Sequence, residues 1–210
     1  AARNIGDGMS LLQTRSGLAS GLTEQVQRMR ELAVQANNGT NSPQDRQALN
    51  QEFTSLRDSV LEQVGSAVFN GQKLFGGEAQ TLQTGPNAGD TTMLPANGLS
   101  DSLEEIDFSS LSLAQAGDLG PALTQLDSAL GAFTQSQVQD GALSNRLTQQ
   151  ADNLTQRGID DSQTLSRIQD LDYAKFASDL AQADARNQAQ ILVQSQANVG
   201  RQDVLRLLGG

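Results

Sequence analysis

Two stripes of apolar residues at spacings of three and four, the second resuming after Gly141, predict one very long helix from about residue 122 to residue 165, and this stretch constrains the possible folds most. Such spacing places the apolar side chains on one face of an α-helix. A helix of that length is roughly 65 Å long at 1.5 Å per residue. A compact single domain does not need so long a helix, so we predict a mainly α fold, an elongated, rod-like bundle of long antiparallel helices. The repeating residues are Leu123, Leu126, Leu130, Phe133, Leu143, Leu147, Ala151 and Leu154.

The scarcity of aromatic residues supports the same fold class. Aromatic residues make up 3% of the 210 residues, with no Trp and one Tyr. A compact globule of this length normally buries several large aromatic side chains. Long helices that pack side by side bury stripes of Leu, Ile, Val and Ala instead, and this composition therefore favours a rod.

The residue types that usually carry catalysis are missing. Because the chain has no His and no Cys, it lacks the commonest general base, the commonest metal ligand and thiolate chemistry. The formal charge of −10 argues against a nucleic-acid partner, which needs a Lys/Arg surface. No apolar run approaches the roughly 18 residues of a membrane helix, and no cleaved signal is visible at Ala1. We predict no enzyme activity, no cofactor, no metal site and no membrane insertion.

Two further helices are predicted before the long one, at about residues 4–38 and 42–64. The first stops at Asn37-Asn38-Gly39, where glycine can adopt the left-handed conformation that ends many helices. The second has a clear start, because Ser42 can cap it and Pro43 fits the first helical position. The apolar stripes are Leu18, Leu22, Val26, Met29, Ala33 and Ala36 in the first helix, and Leu49, Phe53, Leu56, Val60 and Val64 in the second.

The region from about residue 71 to residue 120 has a different pattern, with frequent Gly and Pro and no long helical period. Two short strands, Leu82–Thr84 and Thr91–Leu94, flank the turn-forming stretch Gly85–Asp90, which predicts a β-hairpin. Apolar residues after the hairpin are expected to pin a loop onto the helices. These are Leu103, Ile106, Phe108, Leu111 and Leu113.

The last part of the chain, about residues 171–210, carries a weaker apolar stripe among Ala, Gln, Asn and Ser. We predict a C-terminal helix that is separate from a core rod formed by residues 1–170. Alone, this helix could bury too little apolar surface to remain ordered, so it needs partner helices. The side chains expected to contact such partners are Phe176, Leu180, Ile191, Val204, Leu207 and Leu208.

Several blocks, in order along nearly the whole chain, resemble bacterial flagellin. The strongest block is Val26–Ala36, which ends in the letters RELAVQA, and Phe69–Leu74 matches further on. Other matches are Ala2-Arg3-Asn4 with Asp7–Ser10, similar to the family's RNANDGIS; Ser166–Asp170 with Asp172-Tyr173-Ala174, similar to SRIEDADYA; and Val204–Leu208, which resembles the terminal VLSLL.

The resemblance implies a structural subunit that assembles with copies of itself into the helical filament used for swimming. It also implies export through the flagellar type III apparatus to an extracellular position, with an export chaperone and cap and junction proteins as partners. Flagellins normally carry roughly sixty residues before the position of Ala1, including a helix that pairs with the C-terminal one. We expect a truncated or processed form that lacks this helix and the variable outer domains and does not polymerise without the helix.

The resemblance further implies a contact with the vertebrate Toll-like flagellin receptor. The family's receptor-contacting Arg, Leu and Glu match Arg28, Leu32 and Glu52, with Gln35 beside them. Glu52 can join Arg28 only if the second helix folds back after the turn at about residues 37–41. The alternative is that Leu32 belongs to the core and that the charged pair is ordinary surface.

Two other functions remain open at this point. The hook–filament junction protein of the same superfamily shares a block like RELAVQ, although Val204–Leu208 is more similar to flagellin. A surface protein that binds a polysaccharide on the flagellin scaffold is a second alternative, because a fold does not fix a function. The low aromatic content speaks against it, since sugar rings usually stack on Trp or Tyr.

Overall fold

The computed structural model describes residues 1–114 and 119–209, with the side chains of residue 199 and residues 202–207 left out. It confirms the predicted mainly α fold with a long C-terminal helix and a small β-hairpin. The elements in chain order are α1 (Ala2–Ala36), α2 (Pro43–Ser66), β1 (Val68–Phe69), β2 (Gln72–Lys73), β3 (Gln80–Gln83), β4 (Thr91–Leu94), α3 (Leu99–Glu105), a 3-10 turn (Phe108–Ser110) and α4 (Gly120–Leu208). The chain divides into a first unit, residues 1–154, and a second unit, residues 155–210.

The core of the first unit forms where α1, α2 and the beginning of α4 pack together. The pairs Arg28–Glu52 and Gln25–Gln63 show that α1 and α2 run antiparallel. The apolar stripes predicted from the sequence supply many of the buried side chains, and the largest fully buried side chains are those of four Phe residues. Fully buried large residues are Ile5, Leu12, Leu22, Met29, Leu32, Phe53, Phe75, Phe108, Leu113, Leu126, Phe133 and Leu147.

The start of α2 is fixed by a capping box. The Ser42 hydroxyl accepts a hydrogen bond from the Asp45 backbone N–H at 3.1 Å, and the Ser42 backbone N–H donates to Asp45 Oδ2 at 3.0 Å. The hydrogen bonds from the Ser42 side chain and backbone lower the pKa of Asp45. A lowered pKa means that this contribution is present at neutral pH and is lost as the pH falls through the folded-state value.

We expect Ser42→Ala to lower the free energy of unfolding by about 1 kcal/mol, because it removes the acceptor for an N–H group of the first helical turn. Urea unfolding followed by circular dichroism measures the change. Ser42→Asn keeps a side-chain acceptor and serves as the control that should retain most of the stability. Equal stabilities of the Ala variant and the unchanged chain would show that α2 does not depend on this cap.

Two hairpins follow α2, one predicted and one not. The predicted hairpin pairs β3 with β4 antiparallel, with Gln80 opposite Leu94 and Gln83 opposite Thr91, so its first strand begins two residues earlier than expected. The hairpin of β1 and β2 was missed. Its two-residue turn has positive φ at Asn70 (51°) and Gly71 (80°), the conformation for which Asn-Gly is favoured.

The segment after β4, for which we predicted a loop, contains a short helix. This helix, α3, begins at Leu99 and ends at Glu105. The residues that were expected to hold this segment against the helices do pack on the core. Leu103, Phe108, Leu111 and Leu113 are buried, and Ile106 is partly buried against the core.

Several helix boundaries differ from the predictions. The helix α1 covers Ala2–Ala36 where 4–38 was predicted, and α2 covers Pro43–Ser66 where 42–64 was predicted. The largest difference is α4, which begins at Gly120 and continues to Leu208, whereas we predicted an end near 165 and a separate C-terminal helix. The physical reason is that residues 159–199 contain neither Gly nor Pro, so nothing breaks the helix there.

The division of the chain falls at residues 154 and 155, where we predicted a boundary near 170. Burial accounts for this position. Leu154 is the last residue of α4 that packs against the hydrophobic core. Every later side chain that the structure describes is exposed.

Candidate functional site

The second unit presents an apolar face that nothing in the described structure covers. Phe176, Leu180 and Ile191 are 67%, 52% and 66% exposed. Their spacings of four and eleven residues place them within one narrow strip of an α-helix, which has 3.6 residues per turn. Tyr173 and Ala183 fall in the same strip. We call these five residues, Tyr173, Phe176, Leu180, Ala183 and Ile191, the apolar strip.

Other apolar side chains of the second unit are also exposed, and some of them, such as Leu171 and Leu192, lie on other sides of α4. Three residues of the predicted contact set lie near the end of α4: Leu208 is exposed, while the side chains of Val204 and Leu207 lie outside the described residues. No helix in the described part of the chain is long and apolar enough to cross a membrane. The further exposed apolar residues are Ile159, Leu165, Ile168, Leu171, Leu192 and Val193.

A second candidate surface lies where α1 and α2 face each other in the first unit. The Arg28 guanidinium donates to Glu52 Oε1 from Nε at 3.0 Å and from Nη2 at 2.9 Å, and to Glu31 Oε2 from Nη1 at 3.1 Å. The hydrogen bonds to Glu52 and then Glu31, with the charges of both carboxylates, raise the pKa of Arg28. All three side chains are about half exposed or more. We call Arg28, Glu31 and Glu52 the charged patch.

The four residues that the resemblance assigned to receptor contact are only partly brought together. Arg28 and Glu52 are in direct contact because α2 folds back along α1. Gln35 is exposed two helical turns after Arg28, on the same face of α1. Leu32 is 1% exposed and belongs to the core with Met29 and Ala33. The alternative interpretation of Leu32, as a core residue, is therefore the one that its burial supports.

The structure also brings together a buried ion pair that sequence reasoning missed. Arg15 of α1 and Asp140 of α4 form a bidentate ion pair with two hydrogen bonds. Arg15 Nε donates to Asp140 Oδ2 at 2.9 Å, and Arg15 Nη2 donates to Asp140 Oδ1. Their side chains are 6% and 2% exposed. The only signal in the sequence is that each residue is in line with an apolar stripe, Arg15 three residues before Leu18 and Asp140 three residues before Leu143. A separation of 125 positions gave no indication that the two residues meet.

Comparisons with known proteins agree with the resemblance found in the sequence. Two family models match, the bacterial flagellin N-terminal helical region over residues 1–80 and the C-terminal helical region over residues 123–208. A flagellin of Halalkalibacterium halodurans is 35% identical over 99% of this chain and 77% of its own length.

Two solved structures are similar in fold. The crystal structure of Bacillus cereus flagellin has a TM-score of 0.65 and 30% identity, and the match covers 73% of this chain and 89% of that one. A putative flagellar hook-associated protein from Vibrio parahaemolyticus has a TM-score of 0.59 over 75% of this chain and 84% of that one. Its identity is only 14%, so it shows similarity of fold alone.

Proposed function

The chain belongs to the bacterial flagellin family, and we propose that it performs the family's structural role by burying the apolar strip of the second unit against neighbouring copies of itself. Flagellins are the structural subunits of the extracellular flagellar filament, and this chain is such a subunit. The proposal concerns the surface that holds the subunits together.

The exposure of the apolar strip is the observation that carries the proposal. Helices in proteins are stabilised chiefly by the packing of an apolar face, and a lone helix of this composition is marginal in water. Large contiguous apolar surfaces on soluble proteins generally mark sites of association. Complete burial of a Leu, Ile or Phe side chain contributes about 1.5–3 kcal/mol. Association of many copies therefore supplies the stabilisation that the second unit does not find within its own described residues.

Copies of one chain that meet through two different surfaces form an assembly that need not close. Such heterologous contacts generate an open helical filament when the rotation between neighbours does not return to its start. The first unit contributes a packed core, and the apolar strip contributes surface that the described residues of the chain leave uncovered. This combination suits a subunit that is added repeatedly to a growing end.

The function is tested by filaments sheared from cells that carry this gene. We expect the chain to be their main constituent, present along the whole filament when labelled with specific antibodies and viewed by electron microscopy. Deletion of the gene is expected to shorten or remove the filaments. Labelling confined to a narrow ring at the filament base would contradict the proposal and support a junction protein. No specific observation favours that alternative or the polysaccharide-binding one.

Before assembly, the same apolar strip needs protection from premature association. We infer that the flagellar export chaperone covers it in the cytoplasm and that the chain leaves through the flagellar type III apparatus. We also infer that cap and junction proteins lie at the ends of the finished filament. The physical support is the exposure of Phe176, Leu180 and Ile191, which in a free subunit favours aggregation.

We also propose that the charged patch, with Gln35, is a contact for the Toll-like flagellin receptor. The support is that Arg28, Glu52 and Gln35 are accessible together on α1 and α2. Arg side chains are enriched among the residues that dominate protein–protein binding energies. Leu32 is left out of this contact because it is buried, and a change there would act through stability.

We expect Arg28→Ala to weaken receptor binding by about tenfold or more, the scale of an interface hot spot. Surface plasmon resonance with the receptor ectodomain measures the change. Arg30→Ala is the matched control, because Arg30 lies two residues further along α1 and pairs with Asp127 of α4 instead, with Nε 2.6 Å from Oδ1. Equal loss of binding in both variants would show a general charge effect, and unchanged binding of Arg28→Ala would refute the contact.

A further inference from the structure

Three Asn-Gly pairs occur in the chain, at Asn38, Asn70 and Asn97, and the structure places them in three different environments. In an Asn-Gly pair, the Gly backbone nitrogen can attack the Asn side-chain carbonyl, since Gly has no Cβ to obstruct the approach. The sequence alone does not distinguish the three pairs in their tendency to react. The structure separates them by exposure, hydrogen bonding and freedom to move.

We propose that Asn38 is a site of spontaneous deamidation, the residue at which the folded chain is chemically modified first. In the reaction, a bond forms between Gly39 N and Asn38 Cγ, the bond from Cγ to Nδ2 breaks, and ammonia leaves with the proton of the Gly39 N–H. Water then opens the resulting cyclic imide at either carbonyl, giving Asp or isoaspartate. The only co-reactant is water.

The environment of Asn38 favours each step of this reaction. Both Asn38 and Gly39 are exposed in the turn after α1. The Thr40 backbone N–H donates to Asn38 Oδ1 at 3.2 Å, which stabilises the negative charge that develops on this oxygen during attack. Neither the Gly39 N–H nor the Asn38 Nδ2 group has a hydrogen-bond partner among the described residues, so the nucleophile and the leaving group are both unrestrained.

Asn97 provides an internal contrast because its side-chain oxygen is held in the same way. Asn97 Oδ1 accepts from the Leu99 backbone N–H at 3.1 Å, but its Nδ2 donates to Ser136 Oγ at 2.7 Å and the residue is 4% exposed. A side chain that is buried and hydrogen-bonded reacts only after local unfolding of the structure around it. Asn70 is intermediate, since it is exposed but constrained in the two-residue turn between β1 and β2 and has no donor to its side-chain oxygen among the described residues.

Modification at Asn38 would change the molecule where α1 ends and the chain folds back to α2. The new carboxylate would lie at the C-terminal end of a helix, where the helix dipole disfavours negative charge. An isoaspartate would in addition lengthen the backbone by one carbon in this turn.

The test follows the intact chain by mass spectrometry during incubation at mildly alkaline pH, with tryptic peptides sequenced to localise a gain of about 1 Da per site. We expect Asn38 to be modified first and Asn97 at least about tenfold more slowly, because Asn97 must await local opening. In concentrated urea the three sites should react at similar rates. Faster reaction of folded Asn70 or Asn97, or the same order in urea, would overturn the proposal.

Gly39→Ala is the matched variant. A Cβ at this position meets no atom within 4 Å and φ is not in the left-handed region, so the fold is expected to be unchanged. The added methyl group obstructs attack by the backbone nitrogen, and modification at Asn38 should fall to a level similar to that at the non-Gly site Asn41. Unchanged modification at Asn38 in this variant would rule out the cyclic imide route.

Discussion

Asp140→Ala is expected to lower the free energy of unfolding by about 3–5 kcal/mol, because it leaves the Arg15 guanidinium buried without its counter-ion. Both side chains of this pair are more than nine-tenths buried, and they join α1 to α4 inside the first unit. Urea unfolding followed by circular dichroism measures the loss. The effect is specific to removing one partner, since the cost arises from the unpaired charge and not from the loss of attraction alone.

The double variant Arg15→Met with Asp140→Leu is the control for this prediction. Replacing a buried ion pair with apolar side chains of similar size is often neutral or stabilising, by about 1–4 kcal/mol. We therefore expect the double variant to be at least as stable as the unchanged chain. A double variant as unstable as Asp140→Ala would show that the pair stabilises the fold by its own attraction. A neutral Asp140→Ala would mean that Arg15 reaches water.

Local sequence signals were sufficient for the elements that end or begin at characteristic residues. Asn37-Asn38-Gly39 and the Ser42-Pro43 start located the turn between α1 and α2 to within two residues, although Gly39 does not adopt the left-handed conformation that was expected of it. The turn-forming stretch after Leu82 identified the hairpin of β3 and β4. These signals act through the conformation of a few neighbouring residues, so they can be read without knowledge of the rest of the fold.

Features that depend on distant parts of the chain could not be predicted in the same way. The burial of Leu32 could not be predicted because the buried side of α1 is widened by contact with both α2 and α4. One amphipathic pattern does not reveal how many neighbouring helices a helix packs against. The pairing of Arg15 with Asp140 needs the register of α1 against α4, which no local pattern encodes. The end of α4 was placed too early because a weak apolar stripe was taken as the end of a helix.

The weakness of that stripe has a physical meaning. Residues after Leu154 keep helical geometry but find no buried environment among the described residues of their own chain. Burial within the described residues therefore does not explain their apolar spacing, and the strength of a stripe in the sequence does not distinguish contacts within a chain from contacts between chains. This is why Phe176, Leu180 and Ile191 could be named from the sequence while the surface that covers them could not.

Leu180→Asp is expected to reduce incorporation into filaments at least about a hundredfold, because it replaces a side chain whose burial is favourable with a charge that would be buried unpaired. Leu180 lies in the middle of the apolar strip and is 52% exposed in the single chain. The substitution should be made in the gene as the cell carries it, with filament length measured by electron microscopy. Because Leu180 contributes nothing to the core of the first unit, the unfolding of that unit should be unchanged.

Gln182→Asp is the matched control for Leu180→Asp. It adds the same charge two residues further along α4, on nearly the opposite side of the helix, and is expected to leave filament length close to normal. The amount of each variant released into the medium separates failure of export from failure of assembly: Leu180→Asp should be exported as free subunits. Filaments of normal length from Leu180→Asp, or equal loss in both variants, would show that the apolar strip is not the surface through which the subunits pack.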